Sequence, residues 1–304
     1  MDEGARDPDR VILDLRHQGR PNSIASCLLP GGDGFLLVDP GPASTLPVLE
    51  RELSARGLGL EDLTGLLLTH IHLDHAGASG TLARANPRLR IHVHSKGAAH
   101  LIDPSKLIGS ARRLYGDRMD QLWGEIAPVP APQVVPLEGG ERLALGGRAI
   151  EVRYTPGHAW HHVSYLDRET RTVFVGDTGG LRSPDLPVVL PVTPPPDFDL
   201  EAWLESLDRL LHWEPRELLL THFGAFDDPA FHIEELREGL VSWTGYVAET
   251  LEVDGADEGR VSRFVEKLRK WLAARAPADR IEQYLAGAGP EACWIGIARY
   301  LRKR

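Results

Sequence analysis

Cysteine and long apolar stretches are scarce in this 304-residue chain, and each shortage removes a class of protein. With only Cys27 and Cys293, a single bridge could not be the main staple of a chain this long, so both thiols are expected to be reduced and structural. The longest apolar stretches, 65–68 and 188–190, fall far short of the roughly 20 residues a membrane-spanning helix needs, so no membrane is expected as a partner. Basic residues are outnumbered, 34 Lys and Arg against 44 Asp and Glu, for a net charge of −10. Such a surface repels a phosphate backbone unless cations gather on one face, so nucleic acid is not an expected partner. The basic tail Arg299, Arg302, Lys303 and Arg304 reads as a solvated helix end complementing its dipole. The charged opening Met1-Asp2-Glu3 lacks the basic start and apolar run of a secretory signal, and a cytoplasmic location is expected.

What is present is a 42% hydrophobic content, enough for a core, arranged as short Val-, Ile- and Leu-rich runs alternating with amphipathic stretches. That pattern is expected of a sheet covered by helices. Strands are predicted at 11–15, 25–29, 35–39, 65–69, 91–94, 150–155, 163–166, 172–176 and 217–221, with a hairpin turn at 167–171 between Tyr165 and Phe174. Helices are predicted at 45–56, capped by Ser44, at 76–85 and at 105–123. The Pro-rich passage 183–196 is predicted to be a loop that can wall a site. Beyond Asp228 the texture changes to helices at 229–251, 260–274, 279–285 and 290–301, which divides the chain into a first unit, 1–228, and a helical C-terminal extension packed on it, 229–304.

The informative stretch is Thr69-His70-Ile71-His72-Leu73-Asp74-His75, which follows the apolar run 66–68. Four potential metal ligands fall within six residues. In a loop leaving a strand their side chains can diverge toward two adjacent ions, which one regular face could not easily arrange. Imidazole and carboxylate together suit zinc, iron or manganese. Three further predicted strands exit onto a ligand type: Thr155-Pro156-Gly157-His158, Val175-Gly176-Asp177-Thr178 and Leu219-Leu220-Thr221-His222. Any one alone is more often a turn or cap; in company with the first cluster they point to one metal centre.

With these motifs in this order, the span 11–226 resembles the metallo-β-lactamase superfamily. The resemblance implies an α/β fold, a four-layer αβ/βα sandwich with the metals at one edge of two facing sheets. It implies that His70, His72 and His158 hold one divalent ion and Asp74, His75 and His222 a second, with Asp177 bridging. Asp39 matches the early aspartate that supports the metal loop, and His162 a non-ligating histidine in hydrogen-bond contact with the site. Two cations a few ångströms apart can share a water, lower its pKa toward neutrality and leave a bridging hydroxide as nucleophile, with Asp177 fixing their spacing and Asp74 able to pass on a proton. Zinc is the expected metal, with iron or manganese as alternatives.

The reaction is narrowed by departures from the family's branches. β-Lactamases of the superfamily generally carry Cys or Ser where Asp177 stands; flavin-linked di-iron relatives usually carry Glu where His72 stands; nuclease relatives carry inserts or basic arms that are not evident here. Glyoxalase II-like thioesterases, lactonases and other acyl hydrolases remain, all acting on a small-molecule ester, thioester or lactone, although no clear glutathione-binding signature is seen. The layout is also similar to quinolone-signal response thioesterases. Leu101, Ile102, Leu107, Leu114 and Trp123 are candidate walls for an acyl or aryl group, with helix packing as their ordinary reading. Open alternatives are a persulfide dioxygenase with one iron on His70, His158 and Asp177, a phosphodiesterase or nuclease, and a non-catalytic ligand-binding regulator. The sequence leaves open a homodimer and the roles of His92, His94, His100, His161, Arg182 and His232.

Overall fold

The computed structural model describes residues 10–185 and 188–304. The charged opening and two residues of the Pro-rich passage, 186 and 187, lie outside the described residues.

Six strands form the first sheet in sequence order: β1 (Val11–Asp14), β2 (Ala25–Gly31), β3 (Gly34–Val38), β4 (Leu63–Leu67), β5 (Arg90–His94) and β6 (Val134–Leu137). Pairing is antiparallel through β3 and parallel from β3 to β6. The parallel crossovers are helical: α1 (Leu46–Ser54), then α2 (Leu73–Ala76) with α3 (Ser79–Ala85), then α4 (Ser95–Ile102), α5 (Ser105–Tyr115) and α6 (Met119–Trp123). The second sheet contains β7 (Arg142–Leu145), β8 (Arg148–Tyr154), β9 (Val163–Asp167) and β10 (Thr172–Phe174). After a small ladder of β11 (Leu181–Arg182) and β12 (Val189–Leu190) and the helix α7 (Leu200–Leu211), this sheet is completed by β13 (Glu217–Leu220) and β14 (Gly224–Phe226), in the order β14-β13-β10-β9-β8-β7. The chain then runs through α8 (Pro229–Leu251), α9 (Asp257–Ala273), α10 (Ile281–Ala288) and α11 (Pro290–Arg302).

Period-2 alternation assigns each strand's residues to two different cores. Leu28, Leu37 and Leu66 point outward to Leu49, Leu53 and Leu82 of the helices α1 and α3, while Cys27, Leu29, Leu36, Val38 and Leu67 point inward. There they meet Ile150, Val152, Tyr165, Phe174 and Leu219 of the second sheet. Val173, Leu218 and Leu220 face the other way and share a third core with Trp203 of α7 and with Trp243, Phe264, Leu285 and Trp294 of α8 to α11. Helix, sheet, sheet and helix thus stack in four layers, the αβ/βα sandwich expected, with the C-terminal helices part of the outer core. Cys27 and Cys293 are both buried, and no described helix is long and apolar enough to cross a membrane.

Four local expectations are corrected. Ser44 does not cap α1: its hydroxyl donates to the Leu122 carbonyl (2.6 Å), and α1 begins at Leu46 after a short 3₁₀ turn, Ala43–Thr45. The predicted helix 105–123 is broken into α5 and α6 at Gly116, where φ is 54°. The helix predicted at 76–85 begins at Ser79 as α3, while the preceding Leu73–Ala76 form a separate short helix, α2, that carries Asp74 and His75. The Pro-rich passage is not wholly irregular, since Val189 and Leu190 pair with Arg182 and Leu181 as β12 and β11.

Candidate metal centre

Every ligand-type residue singled out beyond a strand end lies one to several residues past the last ladder pair, at one edge of the sandwich. β4 ends at Leu67 and delivers Thr69 to His75; β8 ends at Tyr154 and delivers His158; β10 ends at Phe174 and delivers Asp177; β13 ends at Leu220 and delivers His222. The two sheets are stitched together at this edge, Val163 N–H donating to Thr69 O (2.8 Å) and Ala25 N–H to Thr221 O (2.8 Å). Four separate pieces of chain are thereby fixed against one another before any side chain is considered.

Their side chains converge in two groups that share Asp177, one ligand atom from each residue lying within 4.8 Å of the others in its group. In the first, Nε2 of both His70 and His158 lies 2.9 Å from His72 Nδ1, and Asp177 Oδ2 is 3.3 Å from His158 Nε2 and 3.9 Å from His70 Nε2. In the second, Asp177 Oδ1 is 3.0 Å from His75 Nε2 and 3.4 Å from His222 Nε2, while Asp74 Oδ2 is 3.4 Å from His222 Nε2 and 3.9 Å from His75 Nε2. Asp177 therefore turns one carboxylate oxygen to each group. Ordinary core packing does not explain this: His75 Nε2 and Asp177 Oδ1 are buried with no hydrogen bond although 3.0 Å apart, and an unpaired buried polar atom costs about 1–3 kcal/mol. A divalent cation would satisfy such atoms, and the imidazole and carboxylate donor set fits zinc, iron or manganese.

The outward-facing ring nitrogens are held so that the inward ones are free to bind. His75 Nδ1 donates to Asp39 (2.8 Å), His158 Nδ1 to the Val192 carbonyl (2.7 Å) and His222 Nδ1 to the Ser23 carbonyl (2.8 Å). Such partners fix tautomer and ring angle. Asp39 is the hub of this outer ring. Besides His75, its carboxylate accepts from the Thr69 amide and hydroxyl (2.8 Å each) and from the Thr221 hydroxyl (3.0 Å). Its backbone sits at φ 48°, a left-handed conformation uncommon outside glycine and tolerated best by Asn and Asp.

His162 does not join either group. Its ring lies 5.0 Å from that of His70, its Nδ1 is 3.0 Å from the Thr155 hydroxyl, and its Nε2 accepts from the Thr178 amide (3.4 Å), bracing the turn that carries Asp177. That turn starts at Gly176 (φ 48°), where a Cβ would lie 2.5 Å from Thr69 Oγ1 and 2.7 Å from His162 Nε2. No other residue fits there without displacing the metal loop.

Electrostatics divides the histidines by their neighbours. Burial, reinforced by neighbouring histidines, drives His70 well below its ordinary pKa; burial likewise lowers His72 and brings His158 down to about 4 against the pull of Asp177. Burial also opposes protonation of His75 and His222, but Asp177 and Asp74 overcome it and raise both. Burial pushes Asp177 and Asp74 up, but the surrounding histidines, His75 foremost, together hold both below the carboxylate range. The second group is thus an internally paired cluster of opposite charges, the kind of environment that accumulates at functional sites.

The remaining candidates fall elsewhere. His161 accepts from the Ile71 amide (3.5 Å) and lies parallel to His70 at 6.0 Å without entering a group. His92 and His94 are buried on β5, His94 stacked on Tyr154 at 4.5 Å. His100 lines a small crevice behind the metal loop, with Ile71 and Leu73. His232 is buried and donates to the Gly179 carbonyl (2.8 Å). Arg182 is not open to an anionic substrate group: both its terminal nitrogens bond Asp228 (2.6 and 2.8 Å), and its guanidinium rests 4.3 Å over Phe226. Of the candidate walls, Leu107 and Trp123 pack beside Leu73, Leu101 turns into the first core, and Ile102 and Leu114 face solvent. Sequence reading missed Thr69 and Thr221 as anchors of Asp39. The available signal was the repeated Thr-His pair at 69–70 and 221–222; the carbonyls of Ser23 and Val192 carry no side-chain signal at all.

Residues 19–222 match the family model described as the metallo-beta-lactamase superfamily. The chain is 32% identical over 184 residues to the metallo-beta-lactamase fold-containing protein ST1585 of Sulfurisphaera tokodaii, spanning 60% of this chain and 68% of that one. The crystal structure of ST1585 superimposes with a TM-score of 0.65 at 22% identity, covering 97% of this chain and 99% of the other. A hydroxyacylglutathione hydrolase of Aeromonas hydrophila is 33% identical over 213 residues, 68% of this chain and 67% of that protein. The metallo-beta-lactamase family protein TTHA1429 of Thermus thermophilus superimposes with a TM-score of 0.70 at 24% identity, covering 97% of this chain and 94% of that one. Sheet order, the doubled ligand cluster and the family match converge on one conclusion: the chain belongs to the metallo-β-lactamase superfamily.

Proposed function

We propose that this protein is a binuclear metallohydrolase of a small-molecule ester, thioester or lactone, with a thioester the leading class. The observation that carries the reading is the division of Asp177 between two groups of donors, each with three further ligand atoms in reach. His70, His72 and His158 would hold one ion and Asp74, His75 and His222 the other, zinc being the proposed metal. When bound, the pair supplies Lewis acidity, activating a shared water and polarising the carbonyl under attack. The protein's own part is to hold and shape. His70, His75, His158 and Asp177 form a buried floor, whereas the Asp74 side chain is about a quarter exposed and His222 about a tenth. His72 is partly exposed as well, so substrate enters on the side that His72, Asp74 and His222 face. Asp74, the more exposed of the two carboxylates, is the one placed to pass a proton on toward solvent. Asp39 and the carbonyls of Ser23 and Val192 keep the ring nitrogens aligned throughout.

The likeness to a hydroxyacylglutathione hydrolase supports the thioester class, and the completeness of the second group favours two cations over the single iron of a dioxygenase. A location in the cytoplasm and a small molecule as partner belong to the same reading. The test is a panel of thioesters, esters, lactones and phosphodiesters offered to protein loaded with zinc, manganese or iron. Hydrolysis of an acyl substrate is expected, abolished by a chelator and restored by metal. Turnover of phosphodiesters alone, or oxygen uptake with a persulfide, would replace this reading.

A further inference from the structure

Beside the metal loop lies a cationic flank that the site chemistry does not use. Trp160 stands two residues beyond His158 and is 41% exposed, unusual for so large an apolar side chain. Beside it, on the first turn of α4, Lys96 is exposed yet held in one place. Its Nζ donates to the Tyr154 hydroxyl (2.8 Å) and lies 4.7 Å from the centre of the Tyr154 ring and 5.6 Å from that of Trp160. The Tyr154 hydroxyl in turn donates to the Trp160 carbonyl (2.9 Å), tying the lysine to the turn that carries His158.

This flank is in contact with the metal loop. At Gly97, the next residue, a Cβ would lie 2.8 Å from Ile71 and 3.5 Å from His161, so α4 is pressed onto the loop. The His161 ring is in turn 5.5 Å from that of His72. Among the described residues no carboxylate lies within salt-bridge distance of Lys96. The nearby Glu141 carboxylate is occupied by the amides of Glu138, Gly139 and Gly140. In a chain of net charge −10, a surface lysine ordinarily finds an acid or moves freely in water. One held by a hydroxyl and two ring faces has already lost the rotamer freedom that binding would otherwise remove.

We propose that Lys96 and Trp160 form a recognition subsite for a carboxylate on the substrate, one a few atoms from the scissile carbonyl. Lys96 meets the charge, and the face of Trp160 covers the apolar segment between charge and carbonyl. This rests on the acyl hydrolase reading above.

The test compares mono-4-nitrophenyl glutarate with 4-nitrophenyl butyrate, which share a leaving group and differ in the distal carboxylate. With metal-loaded protein, kcat/KM is expected to be about tenfold or more higher for the glutarate, a preference eroded by salt. Lys96→Met is expected to remove that preference through KM, leaving the butyrate rate unchanged; Lys96→Arg retains most of it. Binding is read separately, from the fluorescence change on adding N-phenylglutaramic acid or neutral N-phenylbutyramide, neither of them an ester. Wild type is expected to bind the acid about tenfold more tightly than Lys96→Met does. Equal affinity of both proteins for the acid overturns the subsite even if esters are hydrolysed; retained discrimination without hydrolysis overturns the hydrolase reading instead.

Discussion

Asp177→Asn is expected to empty both halves of the metal centre and to lower acyl hydrolysis by at least about a thousandfold. Its two oxygens face different groups, Oδ1 toward His75 and His222 and Oδ2 toward His158 and His70. Asparagine keeps the volume but loses the charge, and its amide nitrogen must face one group with hydrogens where a lone pair is needed. The loss also reaches the histidines: Asp177 is the strongest influence raising His75 and His222 against burial, so without it both lose the charge partner their positions rely on. Metal content by elemental analysis and initial rates on one activated thioester check this, with far-ultraviolet circular dichroism to confirm a folded chain. Substantial retention of metal and rate together would mean that Asp177 is not shared between two ions.

Asp39→Ala should affect stability as strongly as metal binding, although Asp39 belongs to neither donor group. The change leaves four donors without their acceptor: the Thr69 amide, the hydroxyls of Thr69 and Thr221, and His75 Nδ1. All are buried, and stripping a buried charged network of its centre costs about 3–5 kcal/mol. Alanine also tolerates φ 48° less well than aspartate, whose short polar side chain can bond locally. Metal affinity should fall about 10–100-fold, the usual consequence of losing a carboxylate behind a ligating histidine. Urea unfolding of the metal-free protein measures the first effect and chelator competition the second. A variant as stable as wild type without metal would show that Asp39 does not organise this edge.

The centre was legible because its residue types are rare and clustered. His70, His72, Asp74 and His75 lie within six residues, and His158, Asp177 and His222 follow predicted strands, so their convergence needs only that those strands end at one edge. The layers were legible for a similar reason, since alternation along β2, β3 and β4 marks two buried faces. Elsewhere the physics was tertiary. The hydroxyl of Ser44 looks like a helix cap in sequence but is drawn to the Leu122 carbonyl, because α6 packs there. The edge strands β6 and β7 are four residues each, one containing Pro136 and the other followed by Gly146 and Gly147, and neither carries a run long enough to read. The role of Arg182, open in the sequence, is set by its pairing with Asp228, 46 residues on. The orientation of His158 and His222 depends on the backbone carbonyls of Val192 and Ser23, and any residue there would supply the same atom.

The most direct measurement is the number of divalent ions bound per chain at saturation, read by titrating chelator-stripped protein with zinc and following elemental content after gel filtration. Two ions per chain are predicted, falling to none in Asp177→Asn, with recovery of acyl hydrolysis tracking occupancy in wild type. A chain that takes up no zinc, manganese or iron, or that hydrolyses its substrate equally well when stripped, would contradict the account at its root.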